Sequence, residues 1–428
     1  MTEQHSHYRA ESADVKHFIS GTMQRNDHTL HALLQLDGQL NVDLLRQAVT
    51  LTFASMPQLT CRFVRTLERA YWEEAGWSAE DMICLINSHS LAADIEQQLV
   101  IKPDETQGPQ MKLSVIRSDG KDTLAIVLNH MICDAGGLRD YLYLLAACYT
   151  ALAAGDKGVA MAMPDPARRS FMQVFDHLPA SQLEQVKLAT VHHYPQEQAD
   201  YLPLEGDPSQ PFILRHRLSS RQFAVLRSYA KRIGATLNDA LFAAYALAMA
   251  DVLKRELIVL DCPVNARTYL PAGYVPGFCN LTTNLVCVFP ASQVNGYQEA
   301  LLTVKAQMDE QKRSFAPLKV YWDLENAYLQ RPLGEAIAAF PHIYKIPING
   351  MTNIGIIDEQ RLHFAQIAPE HTSLSGSIKY APYFQIAVTT FGGEMTFTTN
   401  FHGTPADRRL IDGLLDRLIA YLPSEAHF

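Results

Sequence analysis

The 428-residue sequence has no excess of basic residues. It contains 36 lysines and arginines against 45 aspartates and glutamates, so its formal net charge is -9 at pH 7. A protein that binds nucleic acid through its phosphates needs a basic surface, and a polybasic membrane anchor needs clustered lysines and arginines. The charge balance therefore predicts that neither nucleic acid nor a membrane is a partner.

Long apolar runs and paired cysteines are also missing. No stretch of 18 apolar residues occurs, so no segment is predicted to span a membrane. The seven cysteines include no CxxC pair and several lie in apolar runs, which is typical of free, buried thiols in a reducing compartment. Residues 1–7 are polar and lack the apolar core of a secretion signal. We therefore expect a cytoplasmic protein.

Four motifs that carry well-known chemistries do not occur: GxSxG, HExxH, the phosphate-binding P-loop and GxGxxG. Without them, the sequence gives no support to a serine hydrolase, a zinc peptidase, a nucleotide kinase or a dinucleotide-dependent enzyme. We expect no metal and no bound cofactor.

What the sequence does contain is an alternation of strand-like and helix-like patterns, which predicts an α/β fold. The chain is long enough for two halves that each bury a core. The predicted strands cover residues 30–36, 59–66, 111–117, 124–128, 258–262, 284–289, 350–357, 384–390 and 395–400. One predicted helix begins near residue 42, and four others cover 138–152, 219–233, 240–254 and 407–422.

A Gly-, Pro- and charge-rich stretch at 154–170 is the best candidate for a linker between the halves. Residues 171–210 are polar, and we predict that they form a bridge between the halves that is first helical and then irregular. We therefore predict an N-terminal half at 1–165, a linker and bridge at 166–210, and a C-terminal half at 211–428.

One segment combines residues suited to acid–base chemistry. The apolar strand 124–128 brings His130 to its end, Asp134 follows four residues later, and Gly136 and Gly137 lead into the helix at 138–152. A neutral imidazole can take a proton from an alcohol or an amine at cellular pH. Asp134 either caps this helix or pairs with an arginine, and the pattern alone leaves both roles open.

This segment resembles the HHxxxDG motif of nonribosomal-peptide condensation domains. It is also similar to the HxxxD motif of stand-alone acyltransferases in the same chloramphenicol-acetyltransferase-like superfamily. His130 and Asp134 match the histidine and the aspartate, whereas Asn129 replaces the first histidine and Ala135 replaces the glycine, with Gly136 next. The resemblance implies that His130 is the general base and that Asp134 is structural.

Weaker similarities extend along the rest of the chain. Residues 59–63 resemble the LRTxF segment, and 265–267 and 277–280 resemble a region that lines the tunnel of condensation domains. Arg62 and Arg267 in these segments are the candidate partners of Asp134. Thr352 and Asn353 lie in a segment that resembles SNxG, where a small polar residue would approach the oxyanion.

The resemblance implies two chloramphenicol-acetyltransferase-like halves, each a mixed sheet flanked by helices, that form a pseudodimer around a central tunnel. It also implies an enzyme that transfers an acyl group from a thioester to a hydroxyl or an amine. Reactions of this kind occur in secondary metabolism. The cosubstrate would be acyl-CoA or a phosphopantetheine thioester on a carrier protein, and the acceptor a small molecule or a carrier-bound group. Because one chain supplies both halves, we expect a monomer.

The competing hypothesis is a non-catalytic binding or docking module that retains this fold. Asn129 and Ala135, the two departures from the motif, leave that hypothesis open.

Overall fold

The computed structural model describes residues 6–156, 164–345 and 347–424. The first five residues of the polar N-terminus and residues 157–163 of the predicted linker lie outside the described residues. In the first half the elements are β1 (His7–Arg9), α1 (Ser12–Thr22), β2 (Thr29–Leu36), α2 (Val42–Thr52), β3 (Cys61–Arg65), β4 (Ala70–Glu74), α3 (Ala79–Met82), β5 (Ile83–Asn87), α4 (Leu91–Leu99), β6 (Met111–Ser118), β7 (Lys121–Asn129) and α5 (Ala135–Ala153).

Two short helices, α6 (Met172–Asp176) and α7 (Ala180–Leu188), follow in the predicted bridge. The remaining elements are β8 (Pro211–Leu218), α8 (Ser220–Ile233), α9 (Leu237–Leu253), β9 (Leu257–Asn265), β10 (Thr282–Pro290), α10 (Tyr297–Ser314), α11 (Ala316–Gln330), α12 (Leu333–Ile343), β11 (Asn349–Ile356), β12 (Pro369–Ser375), β13 (Lys379–Tyr380), β14 (Phe384–Phe391), β15 (Glu394–His402) and α13 (Pro405–Tyr421).

Two mixed sheets dominate the fold. The first has the strand order β12-β2-β7-β6-β5, and the second has the order β10-β9-β11-β14-β15-β13 with β8 beside β15. Parallel pairs such as β5–β6 and β11–β14 occur among antiparallel ones. Helices cover these sheets, with α2 against α5, and α9 against α10 and α13. The predicted α/β architecture of mixed sheets flanked by helices is confirmed.

The second half of the chain contributes to both cores. Strand β12 pairs antiparallel with β2, Thr372 opposite Leu34, and so completes the first sheet. Leu324 of α11 and Phe340 of α12 are buried in the same core as β2 and β7. Residues after 211 therefore contribute to both cores, and the division of the chain at 165 and 211 stays a prediction.

Local signals explain where the main helices begin. Thr236 caps α9 and forms a capping box with Asp239, while the following residues are almost all buried and apolar. A helix that is apolar all round is stable only inside a core. Among the described residues no single helix is long and apolar enough to cross a membrane; α8 and α9 meet that test only together, across a bend of 104°.

Strand β10 lies at one end of the second sheet. Two glutamines of α10 bind its outer backbone groups. The amide of Gln311 accepts from Val286 N at 2.8 Å and donates to Val286 O at 2.6 Å. Gln307 does the same at Val288, at 2.9 and 2.6 Å.

All seven cysteines are free; six are buried and Cys84 is exposed.

Candidate active site

Strand β7 is the middle strand of the first sheet and carries the candidate base at its end. It lies between β2 and β6 and is buried from residue 122 to its end at Asn129. His130 follows directly, half-buried, and its Nδ1 lies 2.9 Å from the carbonyl oxygen of Cys133. Because a carbonyl can only accept, the proton belongs on Nδ1. The lone pair of the imidazole is therefore on Nε2.

Asn129, in the place of the motif's first histidine, holds the turn that carries His130. Its side chain is buried, donates to Gln110 Oε1 at 2.7 Å and accepts from the amide of Met131 at 2.9 Å. Asn280, from the second half of the chain, donates to the carbonyl oxygens of His130 and Met131, both at 3.0 Å. Both ends of the turn are thus fixed by amide side chains.

Asp134 is the N-cap of α5, and its buried carboxylate has several partners. It accepts from the amides of Gly137 at 2.8 Å and Leu281 at 2.7 Å, and from the Thr282 hydroxyl at 3.0 Å. Arg267 Nη1 lies 2.9 Å from its Oδ2. Burial alone would raise the pKa of Asp134, but the Arg267 guanidinium and the two amides outweigh it and lower that pKa to about 2. Asp134 therefore both caps the helix and pairs with an arginine.

The candidate partner Arg62 is wrong. It lies exposed on β3, opposite Glu73 of β4 in the antiparallel ladder, and pairs with that carboxylate instead. A directly opposed residue of opposite charge is the nearest partner available to a side chain on a strand. Arg267, in contrast, follows β9 in the turn Ala266–Tyr269, where its guanidinium also donates to Cys279 O at 3.0 Å.

The structure explains why a glycine is found at position 136 and why none is needed at position 135. A Cβ atom at Gly136 would lie 3.0 Å from Arg267 Nη1 and 3.3 Å from Asp134 Oδ1, so a larger residue would press on the ion pair. Ala135 is the first residue of α5 and has no positive φ. A glycine at that position is therefore not required.

Thr352 and Asn353 lie on β11, half-buried and opposite Ala387 and Val388 of β14. The side chain of Asn353 accepts from the amide of Gly355 at 3.0 Å, where the strand register shifts. Among the described hydrogen bonds none joins either residue to His130. Their role at an oxyanion stays a prediction.

The residue that touches the candidate base was not predicted from the sequence. His17 of α1 stacks on the His130 ring, with ring centroids 4.0 Å apart and planes 23° from parallel. Burial, aided by the charges of Lys16 and Lys379, lowers the pKa of His130 to about 4 against the opposing effects of its hydrogen bond and Asp134. Burial, followed by His130 itself, likewise lowers the pKa of His17. Both rings are neutral at pH 7.

A buried arginine in the predicted bridge was also missed. Arg169 forms two contacts with Asp14 of α1, at 3.1 and 2.9 Å, and both side chains are buried. It also donates to Ile132 O at 3.2 Å and Phe278 O at 3.0 Å. Arg169 thereby ties α1 to the His130 turn and to the segment before β10.

Two cavities approach this site. One of 570 Å³ is lined by Asn284, Tyr321 and Tyr344 among others, and the Tyr321 hydroxyl lies 3.0 Å from Lys16 Nζ, next to His17. The other, of 870 Å³, is lined in part by Gly137 and Arg267. A continuous tunnel between them stays a prediction. Within the described parts of the chain, no group of three or more His, Cys, Asp or Glu residues is arranged to hold a metal.

Comparison with known proteins rests on structure, because no family model and no curated protein matches the sequence. The first condensation domain of the calcium-dependent antibiotic synthetase, in complex with a substrate analogue, superposes with a TM-score of 0.71 at 15% identity, covering 97% of this chain and 95% of that one. This chain has the condensation-domain fold.

Two further structures share this condensation-domain fold. The trichothecene 15-O-acetyltransferase from Fusarium sporotrichioides matches with a TM-score of 0.69 at 14% identity, over 99% of this chain and 97% of that one. The starter condensation domain of rhizomide synthetase, in complex with C8-CoA and Leu-SNAC, matches with a TM-score of 0.69 at 12% identity, over 97% and 93%. The chloramphenicol-acetyltransferase-like architecture expected from the sequence is confirmed for nearly the whole chain.

Proposed function

We propose that this protein is an acyltransferase that moves an acyl group from a thioester to a hydroxyl or amine, with His130 as the general base. One observation carries the proposal. A neutral imidazole stands at the end of a buried strand with Nδ1 bound to the Cys133 carbonyl, which directs the basic lone pair of Nε2 away from its own turn.

The chemistry follows from that tautomer. Nε2 takes the proton of the acceptor as its oxygen or nitrogen bonds to the thioester carbonyl carbon, and a tetrahedral intermediate forms. The C–S bond then breaks, the carbonyl re-forms, and Nε2–H of the imidazolium returns the proton to the departing thiolate. A pKa near 4 keeps His130 in its basic form at neutral pH and makes the imidazolium a ready proton donor in the second step.

Asp134 affects this chemistry indirectly, because it holds the backbone around His130 in place. Its carboxylate oxygens are occupied by Arg267, Thr282 and two backbone amides, so the carboxylate fixes the start of α5 and the segment before β10 around His130. Asp134 is thus a positioning residue, and its carboxylate makes its hydrogen bonds with these groups and not with the imidazole.

The fold supports the thioester as donor. One protein with this fold is an acetyltransferase and another was captured with C8-CoA and Leu-SNAC, so acyl-CoA and a phosphopantetheine thioester on a carrier protein are both candidate cosubstrates here. The acceptor would be a small molecule or a carrier-bound group, and no bound cofactor enters the reaction.

The docking-module hypothesis depended on Asn129 and Ala135. Asn129 is fully used in holding the His130 turn, and Ala135 sits in the first turn of α5 without strain. Neither departure disturbs the geometry around the imidazole, so we favour the enzyme.

The test is to incubate the protein with acyl-CoA and acyl-N-acetylcysteamine thioesters and a panel of alcohols and amines, and to identify acylated products by mass spectrometry. His130→Ala is expected to reduce turnover by roughly 10²- to 10⁴-fold with folding intact, the usual contribution of a positioned general base. His193→Ala is the control, because that histidine is exposed in the bridge. Wild-type turnover in the His130 variant, or no transfer by the native protein from any thioester, would overturn the proposal.

A further inference from the structure

A third cavity, of 820 Å³, lies between the small sheet β1-β4-β3 and the turn that joins α11 to α12. It shares no lining residue with the two cavities near the candidate base. Its lining includes three arginines, Arg9, Arg69 and Arg331, and one carboxylate, that of Glu68. In a protein whose net charge is -9, these four side chains give one cavity an excess of two positive charges.

The alternation of side chains along a strand places two of these arginines on the same face of the small sheet. Ala70 and Trp72 of β4 are buried in the first core. Because successive side chains on a strand point to opposite faces, Arg69 and Tyr71 point away from that core. Arg9 lies directly opposite Tyr71 on the neighbouring strand β1. Two guanidinium groups are therefore presented to the cavity from adjacent segments of one sheet.

The wall that carries Arg331 is fastened to the sheet. At the end of α11, the Tyr328 hydroxyl donates to Ala10 O, just after β1, at 2.5 Å. At the start of α12, the amide of Leu333 donates to Glu68 O, in the β3–β4 hairpin, at 3.1 Å. Arg331 lies between these two attachments in the sequence. The two walls of the cavity are therefore held together by the fold, and a ligand does not have to assemble them.

The chain does not neutralise these three guanidinium groups. Within the described residues, none of the three arginine side chains forms an ion pair or donates a hydrogen bond. Arg9 has a ring contact, with its guanidinium carbon 5.7 Å from the Tyr328 ring centroid. Burial raises the pKa of Glu11 and of Glu325, and the charge of Arg9 opposes that rise without an ion pair to either carboxylate. All three positive charges are therefore available to an anion in the cavity.

A phosphate monoester fits this set of donors better than a carboxylate does. It has a charge of about -1.5 to -2 at pH 7 and three acceptor oxygens, whereas a carboxylate has one charge and two oxygens. A guanidinium group binds phosphate oxygens through paired, parallel hydrogen bonds. We propose that Arg9, Arg69 and Arg331 bind the phosphate group of a small organic phosphate in this cavity. This site is separate from the one around His130, and the proposal does not depend on acyl transfer.

Binding is measured by ligand-observed NMR titration at pH 7.5, with phenyl phosphate as the probe and benzoate as the matching carboxylate. Because the phosphate accepts additional hydrogen bonds from charged donors, we expect phenyl phosphate to bind the wild-type protein about 10-fold or more tightly than benzoate. Equal affinity for the two probes, or no binding of phenyl phosphate, would overturn the proposal without any variant.

Variants assign the binding to this cavity. Arg69 and Arg331 are both exposed, so Arg69→Gln and Arg331→Gln should fold normally. Each is expected to weaken the binding of phenyl phosphate about 10-fold, and the double variant to weaken it further. Arg227→Gln, at an exposed arginine of α8, removes the same charge elsewhere and should leave the binding unchanged. Wild-type binding by the double variant, or an equal loss in Arg227→Gln, would show that the anion does not bind here.

Two sources of such a phosphate are coenzyme A, through its 3′-phosphate, and a separate phosphorylated small molecule. Competition distinguishes them. If coenzyme A displaces phenyl phosphate and 3′-dephospho-coenzyme A does not, the cavity binds the phosphate of the acyl donor. If neither displaces it, the cavity binds a separate phosphorylated ligand. Because every measurement is made without turnover, the phosphate site is tested even if the protein transfers no acyl group and the proposed function fails.

Discussion

Replacing Asp134 with alanine is the sharpest test of how the site is held together. The Asp134 side chain is 3% exposed and accepts four hydrogen bonds, one of them from Arg267, whose side chain is 13% exposed. Removing one member of a buried ion pair strands the other charge and typically costs about 3–5 kcal/mol. We expect Asp134→Ala to lower the free energy of unfolding by roughly that amount at pH 7 and to reduce activity.

The lowered pKa of Asp134 gives a second, independent value for the contribution of this carboxylate to stability. An aspartate has a pKa of about 3.9 in an unfolded chain, and Asp134 has a pKa of about 2 in the folded protein. That difference corresponds to roughly 2–3 kcal/mol of stability. Because the folded pKa is the lower one, this contribution is present above about pH 4 and is lost as the pH falls towards 2. The larger figure for the alanine variant also includes the stranded guanidinium and amides.

Urea denaturation followed by circular dichroism at pH 7 and at steps down to pH 3 measures both effects. The difference between wild type and Asp134→Ala should shrink as the pH is lowered. Arg62→Ala is the matched control, because its exposed ion pair contributes at most about 1 kcal/mol. The reasoning fails if Asp134→Ala is as stable as wild type yet inactive, since the carboxylate would then act directly in the chemistry.

The remaining predictions concern the base and its supporting glycine. Because the pKa of His130 is lowered to about 4, its basic form predominates above that pH. We therefore expect kcat/KM, measured as a function of pH, to fall near pH 4 and not near pH 6.5. A fall near pH 6.5 would contradict the buried, neutral imidazole. Gly136→Ala places a Cβ atom 3.0 Å from Arg267 Nη1. We expect it to lower the free energy of unfolding by about 1–3 kcal/mol, measured as a lower melting temperature. An unchanged melting temperature would show that the ion pair shifts freely.

The centre of the site could be predicted because its signals are local. The apolar strand before His130, the N-cap at Asp134 and the glycines that begin α5 lie within fifteen residues of one another. Each depends on short-range geometry that a sequence displays directly. The same holds for the strands and helices with clean periodicity.

Contacts between distant segments could not be predicted. The sequence does not distinguish Arg62 from Arg267 as a partner of Asp134, because the predicted strands do not include β4, which places Glu73 opposite Arg62. His17 was missed with the whole of α1, although Val15 and Phe18 have the spacing of a buried helix face. The pairing of β12 with β2 joins residues more than 300 apart, and no local pattern specifies it.

The two glutamines on α10 have a consequence for how this protein behaves in a crowded solution. Four helical residues advance about 6 Å and two strand residues about 6.6 Å, so Gln307 and Gln311 match the spacing of Val286 and Val288 and imitate a neighbouring strand. A sheet margin with free amides and carbonyls invites strands of other chains to add to it. Here the amides and carbonyls of Val286 and Val288 are already bound by α10, so a strand from another chain could pair with the middle of β10 only if α10 were displaced.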